Sequence, residues 1–379
     1  MSRLPSSTKA QAGMRRALIT GITGQDGSYL AELLLSQGYE VHGIVRRTSR
    51  ESGSALDALA PHHRQRIRLH EGDLLDAGSL HRILRDVEPE EIYNLAAQTH
   101  VGASFRSAEL TAEVNGLGVL KLLQAVQLAG LTNSVRFYQA STSELFGELQ
   151  ESPQSERTPF HPRSPYGVAK LFAHWTTVNF REAFGLFACS GILFNHESPR
   201  RGHEFVTRKI TRGLVQFLEG RAPCIQLGNL DARRDWGHAR DYVRAQWLML
   251  QQDQPRDFVV ATGTQHSVRE FVTWAGADLG MTIEFEGTGS NEVGRVTEVA
   301  GFASRRVGVG EVAVRVSSAL FRPAEVSSLV GDASDARHLL GWSPTVTARE
   351  LCTEMVEADL RSAQGEMDAA EQPAADSSI

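Results

Sequence analysis

The sequence predicts an α/β protein: a doubly wound parallel sheet with a smaller, mixed α/β part attached to it. Three observations predict it. Short β-type runs alternate with longer helical runs through the first half of the chain. Glycines follow several of the helical runs, as at Gly38, Gly130 and Gly185, where a left-handed cap is wanted. A Gly-x-x-Gly-x-x-Gly turn, Gly21, Gly24 and Gly27, stands between the first β-type run and the first helix.

In chain order, the β-type runs fall at 17–20, 41–45, 67–70, 92–95 and 135–139. The helical runs fall at 28–37, 79–86, 112–129 and 165–184, each with apolar residues three and four apart. Beyond about residue 195 the pattern loosens into arginine- and glycine-rich loops, and 287–310 fits no element. Residues 1–13 are small and polar and 363–379 acidic and alanine-rich, so both ends are expected to be disordered tails. A cofactor-binding domain is expected from 14–195 with about 237–262, and a substrate-binding domain from about 196–236 and 263–362.

Composition excludes several classes. With 379 residues, 41% hydrophobic and 22% charged, the chain is long enough to bury a large core and is of ordinary globular make-up. A net charge of -6 speaks against a nucleic-acid partner, so anionic ligands must be met locally. Cys189, Cys224 and Cys352 lack metal-type spacing, and neither a disulfide framework nor a metal site is expected. No apolar run approaches the length of a membrane span and the start of the chain lacks a signal-peptide core, so a cytoplasmic protein with no membrane contact is expected.

The glycine turn lets the backbone approach a pyrophosphate, whose charge then sits at a helix amino terminus. After the second β-type run, where a carboxylate would accept the ribose hydroxyls of NAD, the chain reads Arg46-Arg47-Thr48-Ser49. Arginine offers a fork of donors to a 2′-phosphate, which points to NADP. Asp73, followed by Leu74, comes after the third run and is placed for the adenine, although it would serve equally as a helix cap. The 94–98 stretch follows the fourth run, where such folds touch the cofactor.

Tyr166 and Lys170 stand four apart on a helical run and face one side. A free tyrosine is only about 0.1% ionised at pH 7, and bringing its pKa down to about 7 takes roughly 4 kcal/mol, much of which a neighbouring ammonium supplies. The bare pair also suits a surface helix. Ser141-Thr142-Ser143-Glu144, however, follows the fifth β-type run and brings a hydroxyl and a carboxylate to the same sheet edge.

Several segments recur together: 21–27 (Gly-Ile-Thr-Gly-Gln-Asp-Gly), 94–98 (Asn-Leu-Ala-Ala-Gln), 141–147 (Ser-Thr-Ser-Glu-Leu-Phe-Gly), 166–170, 194–202, 228–237 and 321–326. In these the chain resembles the GDP-mannose 4,6-dehydratase family over roughly residues 15–360, and so implies a Rossmann-type fold and a redox-neutral lyase acting on GDP-mannose. By that resemblance Thr142, Glu144, Tyr166 and Lys170 are catalytic. The cofactor side takes in Gly21, Ile22, Thr23, Gly24, Gln25, Asp26, Gly27, Arg46, Arg47, Asp73, Leu74, Leu95, Ala96, Ala97, Gln98, Thr99, Lys170, His196 and Arg201. Asn195, Val206, Lys209, Arg234, Arg322 and Glu325 match the region that holds the nucleotide sugar, with Arg234 and Arg322 as the diphosphate clamp.

The chain departs from the family's pattern at Leu110, where an aromatic is usual, and at 317–320, which lead into the Phe-Arg-Pro motif. A homodimer or homotetramer is implied. Other readings stay open on the residues alone: a sugar-nucleotide reductase or epimerase on the same fold, which needs no Glu144, a dehydratase for a dTDP- or UDP-linked sugar, and a catalytically dead NADP-binding regulator.

Overall fold

The structure, a computed structural model, describes residues 14–47, 54–148, 150–301, 303–321, 324, 326 and 328–371, with side chains to 364. In chain order the strands are β1 (Arg16–Thr20), β2 (Glu40–Val45), β3 (Ile67–Glu71), β4 (Glu91–Asn94), β5 (Arg136–Ala140), β6 (Phe187–Leu193), β7 (Asn195–Glu197), β8 (Ile225–Leu227), β9 (Arg233–His238), β10 (Phe258–Val260), β11 (Gln265–Ser267), β12 (Met281–Glu286), β13 (Val293–Val299), β14 (Val312–Val316) and β15 (Ser328–Leu329).

Seven of them form a parallel sheet in the order β3-β2-β1-β4-β5-β6-β10. This is the expected doubly wound sheet, Rossmann-like, and its strand order reverses at β1/β4. A crevice therefore opens beyond the carboxyl ends of those two strands, because the chain leaves them in opposite directions. The inner strands are buried along nearly their whole length because helices cover both faces, while the edge strand β3 is largely exposed. Leu30, Leu34 and Met249 fill one side, from helices Gln25–Ser36 and Ala239–Met249. On the other side are Leu80, Leu84, Leu122 and Ala173, from helices Ala77–Val87, Gly118–Leu128 and Pro165–Phe184.

The helix over Pro165–Phe184 has the predicted limits, and local chemistry sets them. Ser164 caps it, its hydroxyl accepting from the Gly167 amide. Pro165 opens it with a preset φ, and Gly185 ends it at φ 71°. Gly38 and Gly130 likewise take positive φ, at 81° and 74°. Asp73 is not a cap: Asp76 accepts from the amides of Gly78 and Ser79 to start the helix Ala77–Val87, while Asp73 accepts from Leu75 N.

The expected 112–129 helix is instead Ala108–Ala112, one turn of π-helix over Glu113–Leu117, and Gly118–Leu128. The 287–310 stretch contains β13, an antiparallel partner of β12 and β14 in a four-stranded sheet completed by β8. A second core lies under that sheet, formed by Leu214, Trp236, Phe271, Ile283, Val314 and Met355 among others. Strand β9 joins β7, β11 and β15 in a third, smaller sheet.

The last helix reaches into the stretch expected to be a tail. It runs Ala348–Glu371, and Ala363 packs into the second core at 6% exposure. Within the 263–362 stretch, Val326, Leu329, Ala336 and Trp342 pack instead with the core of the parallel sheet. No helix among the described residues is long and apolar enough to cross a membrane. The expected tail over 1–13 lies outside the described residues.

Candidate active site

A cleft of about 1500 Å³ opens at the carboxyl ends of β1 and β4 and continues toward the second core. Its floor rests on a buried polar ladder across the sheet. Thr20 donates to Asn94 Oδ1 at 2.7 Å, and Asn94 Nδ2 donates to Gln139 Oε1 at 2.8 Å. Thr20 Oγ1 also accepts from the amides of Leu95 and Ala96, which pins the loop after β4. Fully satisfied networks of this kind fix one geometry, since a partner lost in a buried site leaves a costly unpaired group.

The glycine turn forms one wall. Gly21 holds φ 70°. A Cβ on Gly27 would lie 2.5 Å from Gly21 O and from Ile22 Cα, so the turn and the helix it opens touch backbone to backbone. The helix Gln25–Ser36 starts at Gly24 with no side-chain cap, which fits an amino terminus reserved for an anion. This cradle suits the pyrophosphate of a dinucleotide.

The expected cofactor residues among those described all line the cleft except Ile22 and Arg47. Ile22 is fully buried and its methyl groups cover Gly43, so its side chain belongs to the core. Arg46 lies in the cleft wall, whereas Arg47 is exposed outside it. Thr48 and Ser49 lie outside the described residues.

Thr142, Glu144, Tyr166 and Lys170 come together along the cleft. Thr142 caps a short 3-10 turn over Ser143–Leu145, its hydroxyl accepting from Glu144 N at 3.2 Å, which puts the hydroxyl and the carboxylate on one bend beyond β5. Tyr166 is in the first turn of its helix, with its amide donating to Ser104 Oγ at 3.2 Å and its hydroxyl sharing a hydrogen bond with Thr142.

The electrostatics correct the expectation that Lys170 lowers the tyrosine. Burial pushes the Tyr166 phenol up to about 12, helped by the Glu144 carboxylate, and the Thr142 hydrogen bond and Arg201 offset only part of that. Lys170 points elsewhere: its amine donates to Ala140 O at 2.9 Å, 5.9 Å from the centre of the Tyr166 ring. Burial brings the Lys170 amine down to about 8.

Asp26 and His196 form a half-buried pair, Oδ2 to Nε2 at 2.8 Å. Burial alone would raise the Asp26 pKa, but His196 and hydrogen bonds from His196 and Gln25 bring it to about 2. Burial likewise opposes a charge on His196, which Asp26 overcomes, leaving the imidazole above its ordinary value. Phe194 O accepts from the other ring nitrogen at 2.8 Å, so the imidazole is held from both sides.

On the substrate side, Asn195, Val206, Lys209 and Arg234 line the cleft. Arg234 is 7% exposed and donates to the carbonyl of Arg233 at 2.8 Å. Arg201 pairs with the buried Glu197 and lies 3.6 Å above the Phe205 ring. Arg322 and Glu325 lie outside the described residues.

Two residues outside the sequence-based site also shape it. Asn115 sits in the π-turn, accepting from Gln98 N at 2.7 Å and donating to Gln98 O at 2.8 Å, so a local widening of the helix holds the loop after β4. An asparagine followed by glycine inside an apolar helical run was its only sequence signal. Arg208, next to Lys209, lines the cleft at 7% exposure.

The GDP-mannose 4,6 dehydratase family model matches residues 18–355. A GDP-mannose 4,6-dehydratase of Vibrio cholerae is 57% identical over 353 residues, 92% of this chain and 95% of that protein. The human GDP-mannose 4,6 dehydratase is 57% identical over 348 residues, 91% of each. Among solved structures, a UDP-glucose 4-epimerase of Thermotoga maritima with UDP-glucose superposes with a TM-score of 0.74 at 22% identity, covering 92% of this chain and 99% of that one, a likeness of fold.

Proposed function

The chain belongs to the GDP-mannose 4,6-dehydratase family, and from that membership we infer that it is a hydro-lyase converting GDP-mannose to GDP-4-dehydro-6-deoxy-D-mannose and water with NADP. The observation that carries the reading at the level of chemistry is Glu144 beside Thr142 and Tyr166 on one cleft wall, opposite a glycine cradle built for a dinucleotide. A reductase or epimerase needs the hydroxyl groups and the lysine but no carboxylate there. Incubation with GDP-mannose and mass detection of the lost water tests it. Recovery of unchanged GDP-mannose with NADP present would overturn it.

The hydrogen at C5 of a hexose is not acidic until C4 is a ketone. When bound, NADP supplies the hydride acceptor for C4 and the donor for C6, and so ends as it began. Tyr166 takes the proton of the 4-hydroxyl and Thr142 hydrogen-bonds the same oxygen. Glu144 then abstracts the C5 proton and passes it to the C6 hydroxyl, which leaves as water; once C6 has regained a hydride, C5 is reprotonated by the proton that Tyr166 took from the 4-hydroxyl, and the tyrosine ends as it began. In the free protein burial pushes the Tyr166 phenol up to about 12.

Lys170, whose amine donates to Ala140 O in the free protein, would hold the ribose of the bound cofactor. Arg46 at the cleft wall supports the NADP preference, and Arg234 with Lys209 supports binding of the nucleotide diphosphate. The catalytic domain is proposed to carry the parallel sheet, and the sheet of β8, β12, β13 and β14 the substrate domain. A cytoplasmic setting suits a nucleotide-sugar substrate. A homo-oligomer is supported by the apolar strip of Val168, Phe172 and Trp175, 46–55% exposed on one face of the Pro165–Phe184 helix.

A further inference from the structure

Resting on the function proposed above, we propose that Arg208 is a further ligand of the substrate's diphosphate and that Asp359, on the last helix, is the positioning residue that aims it. Arg208 belongs to the helix Val206–Leu218, whose first turn, with Val206 and Lys209, borders the cleft and whose cap residue Phe205 offers no side-chain acceptor. A guanidinium is always charged, and burying one is costly unless it is paired. Arg208 is nine-tenths buried yet still part of the cleft wall.

The partner comes from far along the chain. Arg208 Nη1 donates to Asp359 Oδ1, and Thr211 donates to the other carboxylate oxygen at 2.7 Å. Asp359 is thus held on both oxygens and fixes the direction of the guanidinium. It uses one of the five N–H donors, and Arg208 Nε is buried without a partner among the described residues. One carboxylate against Arg208 and the adjacent Lys209 leaves a net positive wall, which a nucleoside diphosphate complements.

The competing reading is a structural ion pair that ties the last helix to the helix Val206–Leu218. The two readings separate with GDP and guanosine as probes of the full-length protein. Under the proposal, Arg208→Lys weakens GDP binding by roughly ten- to a hundredfold, the range of a charge-assisted hydrogen bond, and leaves guanosine binding unchanged. Asp359→Asn gives a smaller loss of the same kind, seen as a raised KM for GDP-mannose with kcat held within about twofold.

A damaged fold would affect GDP and guanosine alike, and that result would overturn the proposal. Should a single variant unfold, Arg208→Met combined with Asp359→Leu decides. Replacing both members of a buried pair by apolar residues commonly preserves stability, so this variant should fold and still fail to bind GDP. GDP affinity within about twofold of the native protein in that folded variant refutes the assignment. Failure of the native protein to dehydrate GDP-mannose would instead refute the function proposed above, while the GDP and guanosine titrations would still judge Arg208.

Discussion

Glu144→Gln and Tyr166→Phe should stop the reaction at different places, because the proposed chemistry divides into an oxidation that needs the tyrosine and an elimination that needs the carboxylate. Glutamine keeps the shape of Glu144 without its basicity. In single-turnover absorbance measurements reduced cofactor should therefore accumulate with a 4-keto sugar. The phenylalanine variant should give neither reduced cofactor nor exchange of the C5 hydrogen with deuterated solvent. Water loss at a near-native rate from Glu144→Gln would show that the C5 base is elsewhere.

Lys170 carries a second prediction at this scale. Its amine titrates at about 8 in the folded protein against 10.5 ordinarily, so every pH below about 8 makes the fold bear a buried charge. That cost is roughly 3 kcal/mol, and it fades as pH rises from about 8 to 10.5 and the unfolded chain also loses the proton. Lys170→Met should be inactive yet more stable than the native apoprotein at pH 7, by roughly 2 kcal/mol once about 1 kcal/mol is subtracted for the lost bond to Ala140 O. The advantage should vanish toward pH 10.5. Denaturant melts of both proteins at the two pH values check this, and a less stable variant at pH 7 would contradict it.

Among the elements, the glycine turn leaves little room for a side chain. A methyl at Gly27 meets backbone at 2.5 Å, whereas one at Gly24 meets only Gly21 O, at 3.3 Å. Gly27→Ala should thus abolish NADP binding and Gly24→Ala only weaken it, the difference being read by calorimetric titration. Equal affinities for the two would mean that the turn and helix do not hold the pyrophosphate. The helix Pro165–Phe184 was legible to the residue because Ser164, Pro165 and Gly185 mark its ends locally. The π-turn at Glu113–Leu117 was not, since a one-residue widening barely disturbs apolar periodicity and its reason lies in the bond from Asn115 to Gln98. Strand β13 was hidden for a related reason: a Cβ at Gly294 would sit 3.0–3.1 Å from Ile283, Phe285 and Val314, tight contacts that come from the partner strands.

For the whole molecule, the apolar strip on the Pro165–Phe184 helix bears on assembly. With Trp175 55% exposed beside Phe172 and Val168, covering them with a second copy would remove apolar surface from water. Trp175→Glu should lower the particle mass measured by light scattering and leave a folded, smaller species. An unchanged mass would place the interface elsewhere.

The order of β-type and helical runs, the glycine turn and the arginine after the second strand were determined by the sequence alone, because each depends on periodicity or on spacing within one element, whereas Thr142, Glu144, Tyr166 and Lys170, which come from two elements, were singled out together by the family resemblance. Only the tertiary structure decided how charges are distributed among them. Whether Tyr166 is raised or lowered depends on burial and on its charged neighbours, and the pairs Asp26–His196 and Arg208–Asp359 join residues 170 and 151 positions apart. The same limit applied to the last helix, where Ala363 meets the second core without any local signal in an alanine- and acid-rich run. Electrostatic energy and apolar burial are set by what surrounds a group in space, and distant parts of the chain supply those surroundings.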